Sequence, residues 1–230
     1  MSNIVVGIEG LVGAGKTSIC RELIKEIPNT ILLNGGNLYR AIVYAMMKNG
    51  RKLEELKKQG KNLDIKEMMD FFKIEIKIEN NGTIIYIDGT KADEEELQSK
   101  DASMAVSTIG GTADNKKLFD FAKKFIDELK QNYNVIVSGR SVMKIYPESD
   151  YHFFIVASLD ERVKRKCSQY LNKETEDEIR ENIIKRDKLQ EEAGFYEYSP
   201  ITIEIDVTNC KTVKDSTKLV LEKIKLPEMV

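Results

Sequence analysis

A glycine-rich segment that ends in lysine and threonine carries the clearest chemical signal in the sequence. Residues 10–17 read GLVGAGKT and fit the pattern G-x-x-x-x-G-K-[ST]. The apolar run Ile4–Ile8 precedes this segment, and a helical pattern from Thr17 to Ile27 follows it and stops at Pro28. Strand, turn and helix in this order are the context in which the pattern binds phosphate. We therefore name residues 10–17 the phosphate loop.

The residue types of the phosphate loop match the chemistry of a phosphate chain. Glycines let backbone N–H groups curl around an anion, and the following helix N-terminus adds partial positive charge. The Lys16 ammonium can reach β- and γ-phosphates, and the Thr17 hydroxyl can ligate Mg²⁺. A glycine-rich turn that binds nothing is the alternative, and the flanking elements argue against it. The residues expected to contact the phosphates are Gly10, Gly13, Ala14, Gly15, Lys16, Thr17 and Ser18.

Composition limits the possible partners. The chain has 230 residues, of which 41% are hydrophobic and 32% charged, and its net charge is −2. These values are typical of a globular protein with a core, and they provide no overall basic field for nucleic acid. No apolar run has the length of a membrane span, so we expect no membrane partner. Three widely separated cysteines indicate reduced thiols in the cytoplasm, and a single histidine, His152, excludes a histidine-based metal cluster.

Alternating strand and helix patterns predict the fold class. Short apolar runs occur at Ile4–Ile8, Thr30–Leu33, Val135–Val137, Tyr151–Val156 and Ile201–Ile205, with helical patterns between them. Together with the phosphate loop, this order predicts an α/β fold of the P-loop NTPase type. We expect a doubly wound, five-stranded parallel sheet with helices on both faces.

An inserted segment interrupts this alternation. Ile74, Ile76 and Ile78 alternate with charged residues, and Ile84–Ile87 continues the pattern after Asn81-Gly82, which we expect to form a two-residue hairpin turn. An antiparallel ribbon inside a strand–helix chain is typical of an inserted subdomain. We therefore expect a core formed by residues 1–60 and 113–230, and an insert formed by residues 61–112.

Several arginines stand where a sheet of this kind binds anions. Arg140 follows a buried strand at its carboxyl end, where ligands bind in open α/β sheets. Arg40 follows Asn34–Asn37, which reads as a glycine turn. A capping box at Ser158–Glu161 opens a helix with Arg162, Arg165 and Lys166 on one face. That face could also be merely solvated, and Arg186 could instead pair with an acid.

Taken together, these segments resemble the bacterial cytidylate kinase family, nucleoside monophosphate kinases that phosphorylate CMP and dCMP with ATP. The similarity extends over nearly the whole chain and rests on an ordered set of motifs. The matching segments are Gly10–Thr17, Leu38–Ala41, Leu97–Ser107, Gly139-Arg140, Phe154–Ser158, Glu161-Arg162, Arg165–Gln169, Arg186-Asp187 and Ser199–Ile201.

The resemblance implies roles for individual residues. Mg²⁺ with ATP is the expected cofactor, and Lys16, Arg140, Arg162 and Arg165 are the expected catalytic residues. Arg162 and Arg165 would move onto the phosphates with a helical lid of about residues 162–186. A cytoplasmic monomer is expected, and the insert would help to bind the monophosphate. The residues expected to bind the acceptor are Gly36, Tyr39, Arg40, Ser107, Lys116, Arg140, Ser141, Arg186 and Gln190.

Departures from the family pattern leave the acceptor's base and sugar open. Ser141 and Gln190 stand where the family has aspartate, whereas Lys116 and Ala193 stand where it has arginine. One alternative is a P-loop kinase for another small acceptor such as a nucleoside, although no base for its hydroxyl is evident. The other alternative is a nucleotide sensor without turnover, which has little use for arginines directed at a transferring phosphoryl group.

Overall fold

A single mixed sheet forms the centre of the molecule. The computed structural model describes residues 3–49, 64–97, 116–170, 174–196 and 198–225. The sheet has the order β3-β4-β2-β6-β1-β7-β8, and β5 pairs with β4. The strands are β1 Val5–Gly10, β2 Thr30–Asn34, β3 Ile74–Glu79, β4 Gly82–Ile87, β5 Thr90–Lys91, β6 Asn134–Ser138, β7 Tyr151–Val156 and β8 Thr202–Asp206.

The five strands β2, β6, β1, β7 and β8 pair in parallel, which confirms the predicted doubly wound sheet. β1 lies in the middle of these five and is buried along its whole length. The phosphate loop therefore leaves the sheet at the carboxyl end of its central strand, beside the ends of β6 and β7.

Helices cover both faces of the parallel strands. Ile8 and Ile155 pack with α1 residues such as Leu23 on one face. On the other face, Val135 and Val137 pack with Ile126 and Val142. Among the described residues, we find no helix that could cross a membrane. The helices are α1 Lys16–Glu26, α2 Gly35–Lys48, α3 Ile65–Phe72, α4 Glu94–Leu97, α5 Lys116–Lys130, α6 Val142–Ile145, α7 Leu159–Tyr170, α8 Glu176–Glu192 and α9 Val213–Leu221.

The hairpin of β3 and β4 extends the main sheet, because β4 pairs in parallel with β2 through Leu32 and Gly82. Its two-residue turn is Asn80-Asn81, one position earlier than predicted. Both asparagines have positive φ, 50° and 61°, as a type I′ turn requires, and asparagine tolerates this conformation. Gly82 is thereby left to begin β4.

The predicted glycine turn at Asn34–Asn37 is wrong, because α2 begins at Gly35 directly after β2. Glycine has low helix propensity, so the pattern of residue types favoured a turn. Tertiary packing overrides that propensity. Ala41, Ile42 and Met46 of α2 are almost fully buried in a cluster with β3 and β4, and most helical stability in proteins comes from such packing.

Candidate active site

The phosphate loop has a backbone that glycine alone accommodates. Gly13 and Gly15 have φ of 80° and 96°, so their conformation is left-handed. At Gly10, φ is 145°, and a Cβ would lie 2.1 Å from the carbonyl oxygen of Ile155. The next amide, of Leu11, donates to that same carbonyl at 3.0 Å. The loop is therefore fixed to the neighbouring strand β7 through its second residue, Leu11.

Lys16 lies at the start of α1 and folds back along the loop. Its Nζ donates to the carbonyl oxygens of Gly10 at 2.7 Å and Leu11 at 2.9 Å. Burial, followed by the charge of Arg140, lowers the pKa of Lys16 to about 8, and Arg186 contributes in the same direction. Thr17 follows in the first turn of α1 with an exposed side chain. The ammonium group is thus held at the mouth of the loop beside an accessible hydroxyl.

Five cationic side chains form what we name the cation cluster: Lys16, Arg40, Arg140, Lys166 and Arg186. Desolvation, followed by Arg40 and Arg186, lowers the pKa of Arg140 to about 10. Desolvation and Arg186 also lower the pKa of Lys166. Arg186 and Lys166 line the same small pocket as Val12 of the phosphate loop. Like charges this close raise one another's energy, and a bound anion relieves that cost.

Two members of the cluster are held by neighbouring side chains. The guanidinium carbon of Arg140 lies 5.3 Å from the centre of the Phe195 ring, so the aromatic ring supports the charged group from one side. Nη1 of Arg40 donates to Asn37 Oδ1 at 3.3 Å, and the same nitrogen would lie 3.6 Å from a Cβ at Gly36. A Cβ at position 36 would therefore meet the Arg40 guanidinium group at ordinary van der Waals distance.

Arg162 and Arg165 contact the phosphate loop in the described structure, and the closing motion of a lid over about residues 162–186 stays a prediction. Nη1 of Arg162 donates to the carbonyl of Val12 at 3.1 Å, and Nη1 of Arg165 donates to the carbonyl of Ala14 at 3.2 Å. Both arginines belong to α7, and its Val163 packs with Val12. Because both guanidinium groups are engaged with backbone carbonyls, their contacts hold the loop's shape.

Asp187 is a site residue that the sequence interpretation left out of the catalytic set. Its Oδ1 accepts from the Val12 amide at 3.1 Å and from the Tyr196 hydroxyl at 2.8 Å, while its Oδ2 accepts from Arg162. A helical spacing could have identified it. Asp187 lies four residues after Ile183, which is buried, and positions i and i+4 share a helix face. An acid on a buried helix face needs a partner.

Glu9 is a second residue that the sequence interpretation missed. It is 3% exposed at the end of β1, and its Oε1 accepts from the backbone amide of Val142, two residues after Arg140. His152 Nε2 lies 3.4 Å from the same oxygen. The sequence did contain a signal, because an acidic residue inside a buried central strand requires a partner.

The other predicted acceptor residues differ in burial and in their distance from the phosphate loop. Ser141 is 6% exposed and adopts a left-handed conformation with φ of 54°. Gln190 is also buried, and its Oε1 lies 3.0 Å from the Tyr196 hydroxyl. Lys116 is exposed at the start of α5, and no contact among the described residues joins it to the phosphate loop. Ser107 and the side chain of Tyr39 lie outside the part of the chain that the structure describes.

Comparison with known proteins agrees with this geometry. The family model described as "Cytidylate kinase" matches residues 6–226. Cytidylate kinase of Clostridioides difficile (strain 630) is 30% identical over 235 residues, covering 98% of this chain and 100% of the relative. Cytidylate kinase of Aquifex aeolicus (strain VF5) is 25% identical over 236 residues, with 98% and 99% coverage.

The phosphate loop carries its lysine, and arginines lie beside it. The family match extends over almost the entire chain, and it agrees with this geometry. The chain belongs to the cytidylate kinase family and is a nucleoside monophosphate kinase, a phosphotransferase.

Proposed function

We propose that this enzyme transfers the γ-phosphoryl group of ATP to CMP or dCMP. The observation that carries the proposal is the cation cluster, in which Arg40, Arg140 and Arg186 lie within electrostatic reach of one another or of Lys16. The relatives named cytidylate kinase align with this chain over 96% or more of its length, which supports CMP as the acceptor.

The chemistry needs alignment and charge stabilisation more than covalent help from the protein. The loop amides and Lys16 bind the ATP phosphates. Arg40, Arg140 and Arg186 bind the acceptor phosphate, because the planar guanidinium group pairs with two phosphate oxygens at once. No general base is needed, since the attacking phosphate oxygen is already anionic. Positive charge between the two phosphates stabilises the charge that develops during transfer.

Thr17 suits the magnesium ion that accompanies ATP. Its hydroxyl is exposed next to Lys16, and such a hydroxyl is the protein ligand that this loop supplies. No cluster of three or more histidine, cysteine or acidic residues suited to a metal occurs among the described residues. We infer from the family that the ion binds together with ATP, where it would neutralise charge on the phosphate chain.

The surrounding parts of the chain have supporting roles in this proposal. Arg162 and Arg165 shape the phosphate loop for ATP. The inserted segment, residues 61–112, contributes to acceptor binding beside the core of residues 1–60 and 113–230. Free cysteines support a cytoplasmic location, and a net charge of −2 provides no basic field for nucleic acid. The family resemblance supports a monomer that acts on small molecules.

A coupled assay of ADP release tests the proposal. The panel is CMP, dCMP, UMP, AMP, GMP, TMP and the corresponding nucleosides, each with ATP and Mg²⁺. We expect the highest kcat/KM with CMP or dCMP. Turnover of nucleosides alone would identify a kinase for a different acceptor, and ATP binding without any turnover would identify a sensor. Either result would contradict the proposal.

A further inference from the structure

Helix α8 ends in a turn that fixes the direction of the chain after it. Gly194 has φ of 69°, and its amide donates to the carbonyl of Glu191 at 2.9 Å. The next amide, of Phe195, donates to the carbonyl of Gln190 at 3.0 Å. These two bonds with a left-handed glycine form a Schellman motif. The two residues after Gly194 are therefore placed by the end of α8, the helix that carries Asp187.

The first of these residues, Phe195, lies against the Arg140 guanidinium group. Phe195 is 8% exposed, and the centre of its ring lies 5.3 Å from the guanidinium carbon. An aromatic face attracts a cation and leaves its charge in place, whereas a carboxylate there would neutralise Arg140 and repel an incoming phosphate. No acidic side chain in the described part of the chain is among the groups that shift the pKa of Arg140. The contact therefore suits an arginine whose charge serves a ligand.

The second residue, Tyr196, contacts the phosphate-loop side of the site. Its hydroxyl donates to Asp187 Oδ1 at 2.8 Å, and the same oxygen accepts from the Val12 amide. Burial, followed by the charge of Asp187, raises the pKa of Tyr196, whereas the charges of Arg140 and Arg162 act on it in the opposite direction. The hydroxyl therefore keeps its proton as a donor, and it lies within electrostatic reach of both arginines.

We propose that Phe195 and Tyr196 are positioning residues that fix Arg140 relative to the phosphate loop. The proposal rests on the proposed function, because it requires the acceptor phosphate to bind Arg140. Phosphoryl transfer needs the attacking and leaving oxygens roughly in line, so the acceptor's arginine and the loop that holds ATP must keep a fixed spacing. Phe195 holds the arginine, Tyr196 holds Asp187 and through it the loop, and the end of α8 joins the two contacts.

Phe195→Leu and Phe195→Tyr together test the contact with Arg140. Leucine keeps an apolar side chain and removes the aromatic face, whereas tyrosine retains that face. We expect Phe195→Leu to raise the KM for CMP by about tenfold, the loss typical of a desolvated cation deprived of its ring. The KM for ATP should change little, and Phe195→Tyr should stay near the unaltered enzyme. A merely structural role would change both KM values together and would not distinguish the two variants.

Tyr196→Phe tests the second contact, and it decides the matter where Phe195→Leu fails to fold. It removes only the hydroxyl, since the ring still packs edge-on against Phe154, with ring centres 5.5 Å apart. We expect kcat to fall by about tenfold with smaller changes in either KM, because alignment is lost while ground-state binding persists. Tyr198→Phe is the matched control, because it also removes a hydroxyl bonded to a carboxylate, that of Glu204. It should retain turnover.

Thermal unfolding establishes that each variant is folded before its kinetics are compared. An unaltered KM for CMP in Phe195→Leu, equal losses in Phe195→Leu and Phe195→Tyr, or an unaltered kcat in Tyr196→Phe overturns the positioning roles and leaves the kinase assignment standing. Absence of turnover of any nucleoside monophosphate by the unaltered enzyme overturns both.

Discussion

Lys16 is the residue on which phosphoryl transfer depends most directly. Its ammonium group already lies at the loop mouth, bonded to the Gly10 and Leu11 carbonyls, so little reorganisation precedes its contact with phosphate. We predict that Lys16→Ala lowers kcat by about 10²-fold or more, the loss typical of a removed charge-stabilising group. Steady-state kinetics measure the loss.

Lys25→Ala, an exposed substitution on the same helix, is the control and should retain turnover. Near-normal turnover of Lys16→Ala with intact ATP binding would contradict the transferase mechanism.

The lowered pKa of Lys16 predicts a dependence of ATP affinity on pH. Burial, followed by the charge of Arg140, holds this pKa at about 8 instead of the ordinary 10.5, so the ammonium group loses its proton as pH rises through 8. We expect ATP affinity, measured by calorimetry at constant ionic strength, to weaken progressively above that pH. Lys16→Arg should weaken less over the same range, because arginine stays protonated. Constant affinity of the unaltered enzyme up to pH 10 would refute the assignment.

The same shift affects stability in the opposite direction. Between pH 8 and 10.5 the unfolded chain binds more protons at Lys16 than the folded chain does. The contribution of Lys16 to folding stability therefore increases with pH across this window. As pH rises, ATP affinity therefore falls while folding stability increases. This is the pattern expected of a lysine whose charge serves binding and costs stability.

At the scale of elements, local patterns were sufficient for the strands and for the loop. The phosphate loop could be predicted because its whole motif lies in eight consecutive residues. The position of Arg140 could be predicted because it follows a buried strand. Contacts between residues far apart in the sequence could not be predicted from local patterns. Asp187 and Arg162 are 25 residues apart, and Glu9 and Val142 are 133 apart. Each pair meets only after α7, α8 and the sheet have packed.

The turn errors have a similar origin. Asn80-Asn81 and Asn81-Gly82 both suit a tight turn, so the choice depends on strand register. The pairing of Gly82 with Leu32 of β2 decides that register. Likewise, Gly35 and Gly36 are part of α2 because the apolar face of this helix packs against β3 and β4.

Asp187 connects α8 to the phosphate loop and to α7, and this connection can be tested. Asp187→Ala leaves the Arg162 guanidinium, which is 8% exposed in its side chain, without its acid. We predict a loss of about 3 kcal/mol in unfolding free energy, the usual cost of breaking a buried pair, together with weaker ATP binding because Val12 loses its acceptor. Denaturant unfolding and ATP titration measure the two effects.

Asp177→Asn, an exposed change on the same helix, is the control. A double-mutant cycle with Arg162→Ala should return a coupling energy above about 1 kcal/mol. If the two substitutions were additive, the contact would have no energetic role.

Over the whole molecule, negative net charge coexists with a concentrated positive site. The chain carries a charge of −2, yet the cation cluster lies at the carboxyl ends of the parallel strands, where the fold directs the phosphate loop and Arg140 to one edge. The mutual repulsion of these cations is retained in the folded state, so an anion with several charges should stabilise the entire domain.

We predict that tripolyphosphate, a probe without base or sugar, raises the melting temperature. At a concentration 100 times its Kd, a ligand adds about 2.7 kcal/mol, and each kcal/mol shifts Tm by roughly 2–4 °C in a domain of this size. The expected increase is therefore about 5–10 °C. Differential scanning fluorimetry at 50 mM and 500 mM NaCl should give the larger increase at low salt, because screening weakens the attraction. Lys16→Ala should reduce the increase, whereas Lys25→Ala should not. An equal increase in all three proteins would show that the anion binds elsewhere.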